Sequence, residues 1–292
     1  MKIYAGVVLY NPDLQRLEEN ISSIANQVDK VVLFDNGSAN QEAIIGIYEG
    51  VDNIHILSIP ENAGIAVALN GIMRFAIQEG VQWVLTLDHD TVCGPGLIEG
   101  FIPYTQDDET ALICPFIRDR NRLDYAAPIP SGLPDCEYDD CCITSGSLTR
   151  VSAVEGIGFF DERLFIDEVD TEFCERLRLS GYRILRVNTV YILHELGRMS
   201  PVYIFPRVGK AFNISYFKRP KYTSNHSNFR KYYIVRNHIY LFRKYKQYGK
   251  KGKKIEFLKT VAMWYIAEKD FLGKTKAVCK GIFDGLRMKV EH

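Results

Sequence analysis

At 292 residues the chain can hold one sizeable domain plus an appendage, or two domains sharing an interface, which excludes a peptide-sized module. With 47% hydrophobic and 25% charged residues and no low-complexity tract, it excludes a disordered chain as well. The zero net charge hides a division: residues 1–205 carry 14 Lys+Arg against 31 Asp+Glu, and residues 206–292 carry 22 against 5. An acidic body with a basic tail implies an anionic partner for the tail, phospholipid or nucleic acid, unless the tail docks on its own body.

Residues 3–9 (IYAGVVL) read as a strand. Asn11-Pro12 then caps a helix on which Leu14, Leu17, Ile21, Ile24 and Val28 recur at helical spacing. The unit repeats. Apolar 31–34 ends in Asp35-Asn36-Gly37-Ser38 before a helical stretch, 54–59 leads through Asn62-Ala63-Gly64 into a helix over 65–79, and 83–87 ends at Asp88-His89-Asp90. Apolar strands alternating with amphipathic helices predict an α/β fold, a mostly parallel sheet flanked by helices on both faces. Ligands of such sheets bind beyond the carboxyl ends of the strands, where all three polar clusters lie. From about 111 the rhythm changes to shorter strands, with Pro-rich connections at 128–134, a strand at 141–149 and a helix over 169–180 stopped by Gly181. After Pro206 the chain is basic and aromatic, and 226–247, 253–268 and 275–289 read as helices between Gly/Lys breaks.

Seven Cys at 93, 114, 136, 141, 142, 174 and 279 show no paired C-x-x-C spacing, so a zinc or disulfide scaffold is not expected and the thiols read as reduced and cytoplasmic. The N-terminus lacks a cationic leader, and no apolar run approaches the length of a membrane span.

Asp88 and Asp90 stand two apart at a strand end, so in extended geometry both carboxylates point one way and His89 the other. Two such carboxylates suit one hard cation, Mg²⁺ or Mn²⁺, whose shell is completed by water and phosphate oxygens. Acid-x-acid pairs also occur in solvated turns; the buried strand before this one gives it weight. Asp35 and Asn36, with the backbone donors of their turn, suit the base or ribose of a nucleotide, or simply lead a helix. Asn62-Ala63-Gly64-Ile65-Ala66 resembles a small-residue phosphate loop but has no P-loop Lys and no G-x-G-x-x-G.

The succession VVLFDNGS, ENAGIAVALNGIMRFA, LTLDHD, TSGSLTR and GFFDERLFIDEVDTEFCERLRLSGYRI, followed by His194, resembles the family 2 inverting glycosyltransferases of the GT-A-type fold. FIDEVDTEFCERL and the later KYYIVRNHIYLFRKY resemble the bacterial rhamnosyltransferase-type enzymes of polysaccharide synthesis. The likeness runs over roughly residues 3–245. It implies a glycosyltransferase domain over 1–205, with a nucleotide-sugar part to about 110 and an acceptor part over 111–205, and a helical basic extension over 206–292.

By that resemblance Asp35 contacts the nucleobase, Asp88 and Asp90 form the metal motif, His194 assists the metal or diphosphate, and Ser145-Gly146 line the donor sugar. His89 is a secondary residue that touches the donor or packs. The acidic run Asp167, Glu168 and Asp170 supplies the general base that inverting transfer needs, because one carboxylate must take the acceptor hydroxyl's proton as its oxygen attacks. Relatives with Glu-Asp before Val-Asp point to Glu168; the rhamnosyltransferase-like branch points to Asp167, which we take as the base, with Glu168 and Asp170 as rivals. An acidic helix N-terminus accounts equally for those residues that are not the base.

Between 229 and 257 aromatic residues interleave with Arg and Lys, ending in Lys250-Lys251-Gly252-Lys253-Lys254. Such helices suit the anionic inner face of a cell membrane, and self-docking or a homodimer contact is the alternative. No nucleic-acid-binding pattern accompanies them. The expected reaction moves a sugar, L-rhamnose from dTDP-rhamnose or the sugar of a UDP-sugar, to a glycan or lipid-linked acceptor. The rivals are a nucleotidyltransferase, which would open on a Gly-rich basic loop absent from Val7 to Pro12, and a non-catalytic carbohydrate- or membrane-binding scaffold. A glycoside hydrolase has no need of nucleotide-facing turns.

Overall fold

The computed structural model describes residues 1–121, 127, 129–195, 197, 200–203, 213, 221–248 and 252–290. The chain divides into two compact units, one of residues Met1–Phe165 with Val169–Leu196, the other of Ile166–Glu168 with Gly197–His292.

The first unit is built on a nine-stranded sheet. Strands β1 (Ile3–Leu9), β2 (Lys30–Asn36), β3 (Ile54–Ile59) and β4 (Trp83–Asp88) are parallel, in the spatial order β3-β2-β1-β4. Helices α1 (Leu14–Ile24), α2 (Gln41–Tyr48) and α3 (Ile65–Gln78) are the crossovers. Every residue of β1 is buried, as a strand with helices on both faces requires. Asp13, not Asn11-Pro12, caps α1 by accepting the Arg16 N–H at 3.0 Å. Asn11 instead takes a left-handed φ of 49° and works in the loop.

Beyond β4 the sheet becomes mixed. β8 (Ser147–Arg150) runs antiparallel between β4 and β6 (Thr110–Asp119), and the long β9 (Arg183–His194) pairs parallel with β6 and antiparallel with β5 (Val92–Cys93) and β7 (Cys136–Asp139). The strand predicted over 141–149 is confined to its end. Ser147 Oγ donates to the Ile143 carbonyl at 2.6 Å and Thr86 Oγ1 to that of Thr144 at 2.5 Å, so 143–146 turns toward β4 instead of pairing. Helices α4 (Leu97–Phe101), α5 (Val151–Ile157) and α6 (Val169–Leu179) complete the unit, over a core that includes Leu17, Leu33, Trp83, Leu85, Phe101, Leu148 and Ile192.

In the second unit, described by itself, helices α7 (Asn228–Lys244), α8 (Lys253–Ala267) and α9 (Phe271–Arg287) pack around Val235, Phe257, Trp264 and Val278, beside a short antiparallel pair of strands, β10 (Ser200–Val202) and β11 (Lys221–Thr223). α9 begins four residues earlier than its periodicity suggests because Asp270 caps it, accepting the Gly273 N–H at 3.0 Å. Gly281 and Gly285, one turn apart, let α9 approach α7: an added Cβ would stand 2.8 Å from the Tyr232 carbonyl oxygen and 2.6 Å from that of Arg236. No helix among the described residues is long and apolar enough to cross a membrane. Of the basic run at 250–254, residues 250 and 251 lie outside the described residues.

Candidate functional site

Because β1 to β4 are parallel and in register, their carboxyl ends share one edge of the sheet, and the loops there are tied to one another. Asn11 N–H donates to Ser38 Oγ at 2.9 Å, Ala39 N–H to Asn11 Oδ1 at 2.7 Å, and Asn40 Nδ2 to the Pro12 carbonyl at 2.9 Å. Asn36 reaches across to the next loop: its Nδ2 donates to Asn62 Oδ1 (3.1 Å) and the Gly64 carbonyl (3.2 Å), and its Oδ1 accepts the Ala63 N–H (3.0 Å). Asn62 Oδ1 also accepts the Gly64 N–H at 2.9 Å. The Asn36 amide thus shapes the 62–64 loop. Gly64 has φ 95°, and any Cβ there would lie 2.8 Å from the Phe165 Cα. Asp35 is fully buried, with both carboxylate oxygens facing the Ser38 N–H at 3.2 and 3.4 Å.

At the end of β4 the chain turns. Thr91 N–H donates to the Asp88 carbonyl at 3.2 Å, so residues 88–91 form a turn and not the extended strand from which sequence spacing would aim the two carboxylates. Asp88 and Asp90 nevertheless converge, and His194, the last residue of β9, joins them; one ligand atom from each lies within 4.8 Å of the others. His194 Nε2 stands 4.0 Å from Asp88 Oδ2 and its Nδ1 3.9 Å from Asp90 Oδ1. His89, beside them, is half-buried. Burial drives the Asp88 carboxyl above its usual range; His194 opposes this, the Asp90 carboxylate adds to it, and His89 opposes it weakly.

Three side chains set these donors in place. Ser145, nearly fully buried, accepts the Asp88 N–H at 3.0 Å and is 2.7 Å from Thr91 Oγ1, which is in turn 2.8 Å from His194 Nδ1. Asn20, on the buried face of α1, donates to the carbonyls of Asp88 (2.9 Å) and Thr91 (2.6 Å). Gly146 N–H donates to the Thr86 carbonyl at 2.7 Å, docking the 143–146 turn on β4. With its hydroxyl so engaged, Ser145 is a strut beneath Asp88.

One ligand atom from each of the three donors lies near enough to the others for a single divalent cation to draw them together by side-chain adjustment. An imidazole that binds through Nε2 carries its hydrogen on Nδ1 and donates it to Thr91, the outer-shell contact that fixes ring orientation. The donor set fits a divalent cation.

The acidic run divides. Asp170 lies in the first turn of α6, where its Oδ1 accepts the Thr171 N–H at 2.8 Å. Asp167 and Glu168 belong to the second unit and take consecutive left-handed φ values of 65° and 64°, a conformation that costs on the order of 1–3 kcal/mol per non-Gly residue. Helix α7 holds them there. Arg230 forks onto Asp167 (Nη2 to Oδ1 2.8 Å, Nε to Oδ1 3.1 Å and to Oδ2 3.2 Å), and the Asn237 amide donates to the carbonyls of Ile166 and Asp167, both at 2.8 Å. Glu168 Oε2 accepts the Tyr248 hydroxyl at 2.8 Å, and Oε1 stands 3.5 Å from His238 Nε2.

Thr91, Asn20, Arg230 and Asn237 were not singled out as site residues from sequence. Asn20 carried a signal, a lone amide between the apolar positions Leu17, Ile21 and Ile24 of α1; Thr91 and Asn237 sat inside or beside quoted motifs without any pattern to mark them.

Residues 5–140 match the family model described as Glycosyl transferase family 2. Over 211 residues the chain is 28% identical to the dTDP-rhamnosyl transferase RfbF of Shigella flexneri, covering 68% of this chain and 70% of that protein. Among solved structures, S. aureus TarS 1-349 in complex with UDP-GlcNAc superposes with a TM-score of 0.58 at 16% identity over 98% of this chain and 81% of that one. GalNAc-T7 with UDP, GalNAc and Mn²⁺ gives 0.56 at 13% identity over 66% of this chain and only 44% of the GalNAc-T7 chain. These likenesses show the GT-A fold.

Proposed function

We propose that this chain, a glycosyltransferase by its family 2 domain, moves a sugar from a nucleoside diphosphate donor to a glycan or lipid-linked hydroxyl with inversion. The convergence of Asp88, Asp90 and His194 at the carboxyl edge of a parallel sheet is the observation that carries the reading. The similarity to a dTDP-rhamnosyl transferase favours L-rhamnose from dTDP-rhamnose as the donor, with UDP-sugars next.

In this reading Asp88 and Asp90 hold a cation, with His194 as a third ligand, and the imidazole nitrogen favours Mn²⁺ over Mg²⁺. The ion, when bound, supplies Lewis-acid neutralisation of the charge that gathers on the departing diphosphate. Asp35, with the 37–40 turn, receives the nucleotide, and the 62–64 loop, shaped by Asn36, offers it backbone donors. Thr91, Ser145 and Asn20 keep the ligands oriented. Asp167 takes the proton from the acceptor oxygen as that oxygen attacks the anomeric carbon opposite the leaving group, so no covalent sugar intermediate forms. Glu168 and Asp170 are the alternatives for this role.

The basic aromatic unit suits the inner, anionic face of the membrane, which would place a cytoplasmic enzyme beside a lipid-linked acceptor. The exposed stripe of Leu272, Lys276, Phe283 and Leu286 on α9 supports this contact over a homodimer contact, because lysines flank its apolar residues.

A thermal-shift panel of dTDP-, UDP- and GDP-sugars with Mn²⁺, followed by assay of nucleoside diphosphate release, tests the reading. A donor that stabilises the protein only with the metal and is turned over supports it; a protein that neither binds nor cleaves any of the panel refutes it.

A further inference from the structure

Two adjacent acidic residues held at positive φ are an unusual construction. Glycine is the default at such positions, and Asp and especially Glu adopt them at a cost. A sequence that needed only a turn before α6 would remove the strain with glycine. This one keeps two carboxylates there and surrounds them with partners, so it is the side chains in this backbone conformation that are required.

The partners lie in the same unit. Asn237 is fully buried on α7, and its amide is fixed in orientation because Oδ1 accepts Arg236 Nε at 2.9 Å, which leaves both Nδ2 hydrogens for the carbonyls of Ile166 and Asp167. Arg230, two turns earlier on the helix, meets Asp167 through its guanidinium fork. Backbone and side chain of Asp167 are thus held by one rigid element, and Tyr248 holds its neighbour Glu168. A forked guanidinium fixes the plane of a carboxylate as well as its place, which an ammonium cannot do.

From this we infer that Asn237 and Arg230 are positioning residues for the general base: α7 clamps 166–168 in the strained form that presents the Asp167 carboxylate, and neither residue touches the donor. The inference rests on the reading of Asp167 as base. The nearest competing role is a purely structural one, in which the clamp stabilises the second unit and nothing more.

The test uses the full chain, with Mn²⁺ and whichever nucleotide sugar of the donor panel the wild type turns over. Arg230 is 43% exposed, so its replacement leaves no buried cavity, and the Tm of each variant reports any loss of stability. Arg230→Ala should lower kcat about 100-fold, the effect of misplacing a reacting group by about an ångström, while KM for the donor and the calorimetric affinity for the nucleoside diphosphate stay within about twofold. Arg230→Lys should recover part of the loss, because one oxygen of Asp167 regains a partner. Asn237→Ala should reproduce the kcat defect with a lower Tm.

Arg230→Ala with wild-type kcat overturns the inference, as does a loss of kcat matched by an equal loss of nucleotide affinity. A wild type that turns over no donor overturns the transferase reading itself, and the inference falls with it.

Discussion

Thr91→Val tests whether the hydroxyl relay beneath the candidate metal site works on the metal. Valine keeps the shape of threonine and deletes only Oγ1, which bridges Ser145 Oγ at 2.7 Å and His194 Nδ1 at 2.8 Å. Thr91 is fully buried, so no water replaces the lost hydroxyl and two hydrogen bonds vanish together. Leaving buried polar partners unsatisfied costs about 1–3 kcal/mol. In a unit of this size that lowers Tm by roughly 2–4 °C per kcal/mol. The sharper effect falls on the imidazole, which loses the group that holds its tautomer and ring plane; such outer-shell losses weaken metal binding about 10–100-fold. Mn²⁺ titration of wild type and variant by calorimetry, with nucleoside diphosphate present and absent, measures this directly. The expected result is a Kd raised at least tenfold with unchanged stoichiometry, and a smaller defect when nucleotide supplies part of the shell. A variant whose Tm falls while its Mn²⁺ affinity stays within twofold would falsify the relay and leave Thr91 as packing.

The carboxylates should separate by role: Asp90→Ala weakens metal-dependent nucleotide binding, whereas Asp167→Asn spares binding and lowers kcat by a factor of about 10² or more, as general-base loss does. Equal loss of binding in both variants would remove Asp167 as the base. The raised Asp88 carboxyl predicts a pH effect on the metal-free protein. Its folded pKa lies above the ordinary carboxyl value of 3.8, so its ionisation destabilises the fold as pH rises from that value through the raised one. Asp88→Asn should therefore raise Tm at neutral pH without metal, lose that advantage at the acid end, and abolish metal-dependent stabilisation; an unchanged Tm at both ends contradicts the assignment. On α9, Leu272→Glu with Phe283→Glu should reduce co-sedimentation with vesicles containing anionic lipid, with Tm unchanged, since both side chains are exposed. Unchanged sedimentation removes the membrane contact. Deleting residues 246–292 is the poorer experiment, because Trp264 and Val278 lie in the core of that unit.

The first four strands and their carboxyl-edge loops were readable because local pattern decides them. A strand buried on both faces has to be apolar throughout, and its end has to be marked by residues that tolerate a turn, as Asp35-Asn36-Gly37-Ser38 and Asp88-His89-Asp90 do. The convergence of Asp88, Asp90 and His194 was readable because all three sit at such ends, His194 at the end of β9. Patterns failed where a long-range hydrogen bond decides the local shape. Residues 141–146 have strand propensity, yet their backbone answers to Thr86, which no periodicity announces. The two Asp carboxylates reach one point through a turn closed by Thr91 and Asn20, residues whose role depends on which atoms surround them and not on their spacing.

The same distinction bears on Asn36, whose strand-end turn suited a nucleotide, and on Ser145, which resemblance placed at the donor sugar. Both side chains are hydrogen-bonded within the protein, Asn36 to the 62–64 loop and Ser145 to Asp88 and Thr91. A residue so engaged still matters to binding, but through the shape it imposes on groups that touch the ligand. Its loss should then appear as a change in what the loop or the metal ligands do, in step with stability, whereas loss of a direct contact changes affinity alone. Ser145→Ala should accordingly weaken Mn²⁺ and lower Tm together, since it strands the Asp88 N–H in a buried place. If instead donor affinity fell with Tm and Mn²⁺ affinity unchanged, the hydroxyl would be a sugar contact after all.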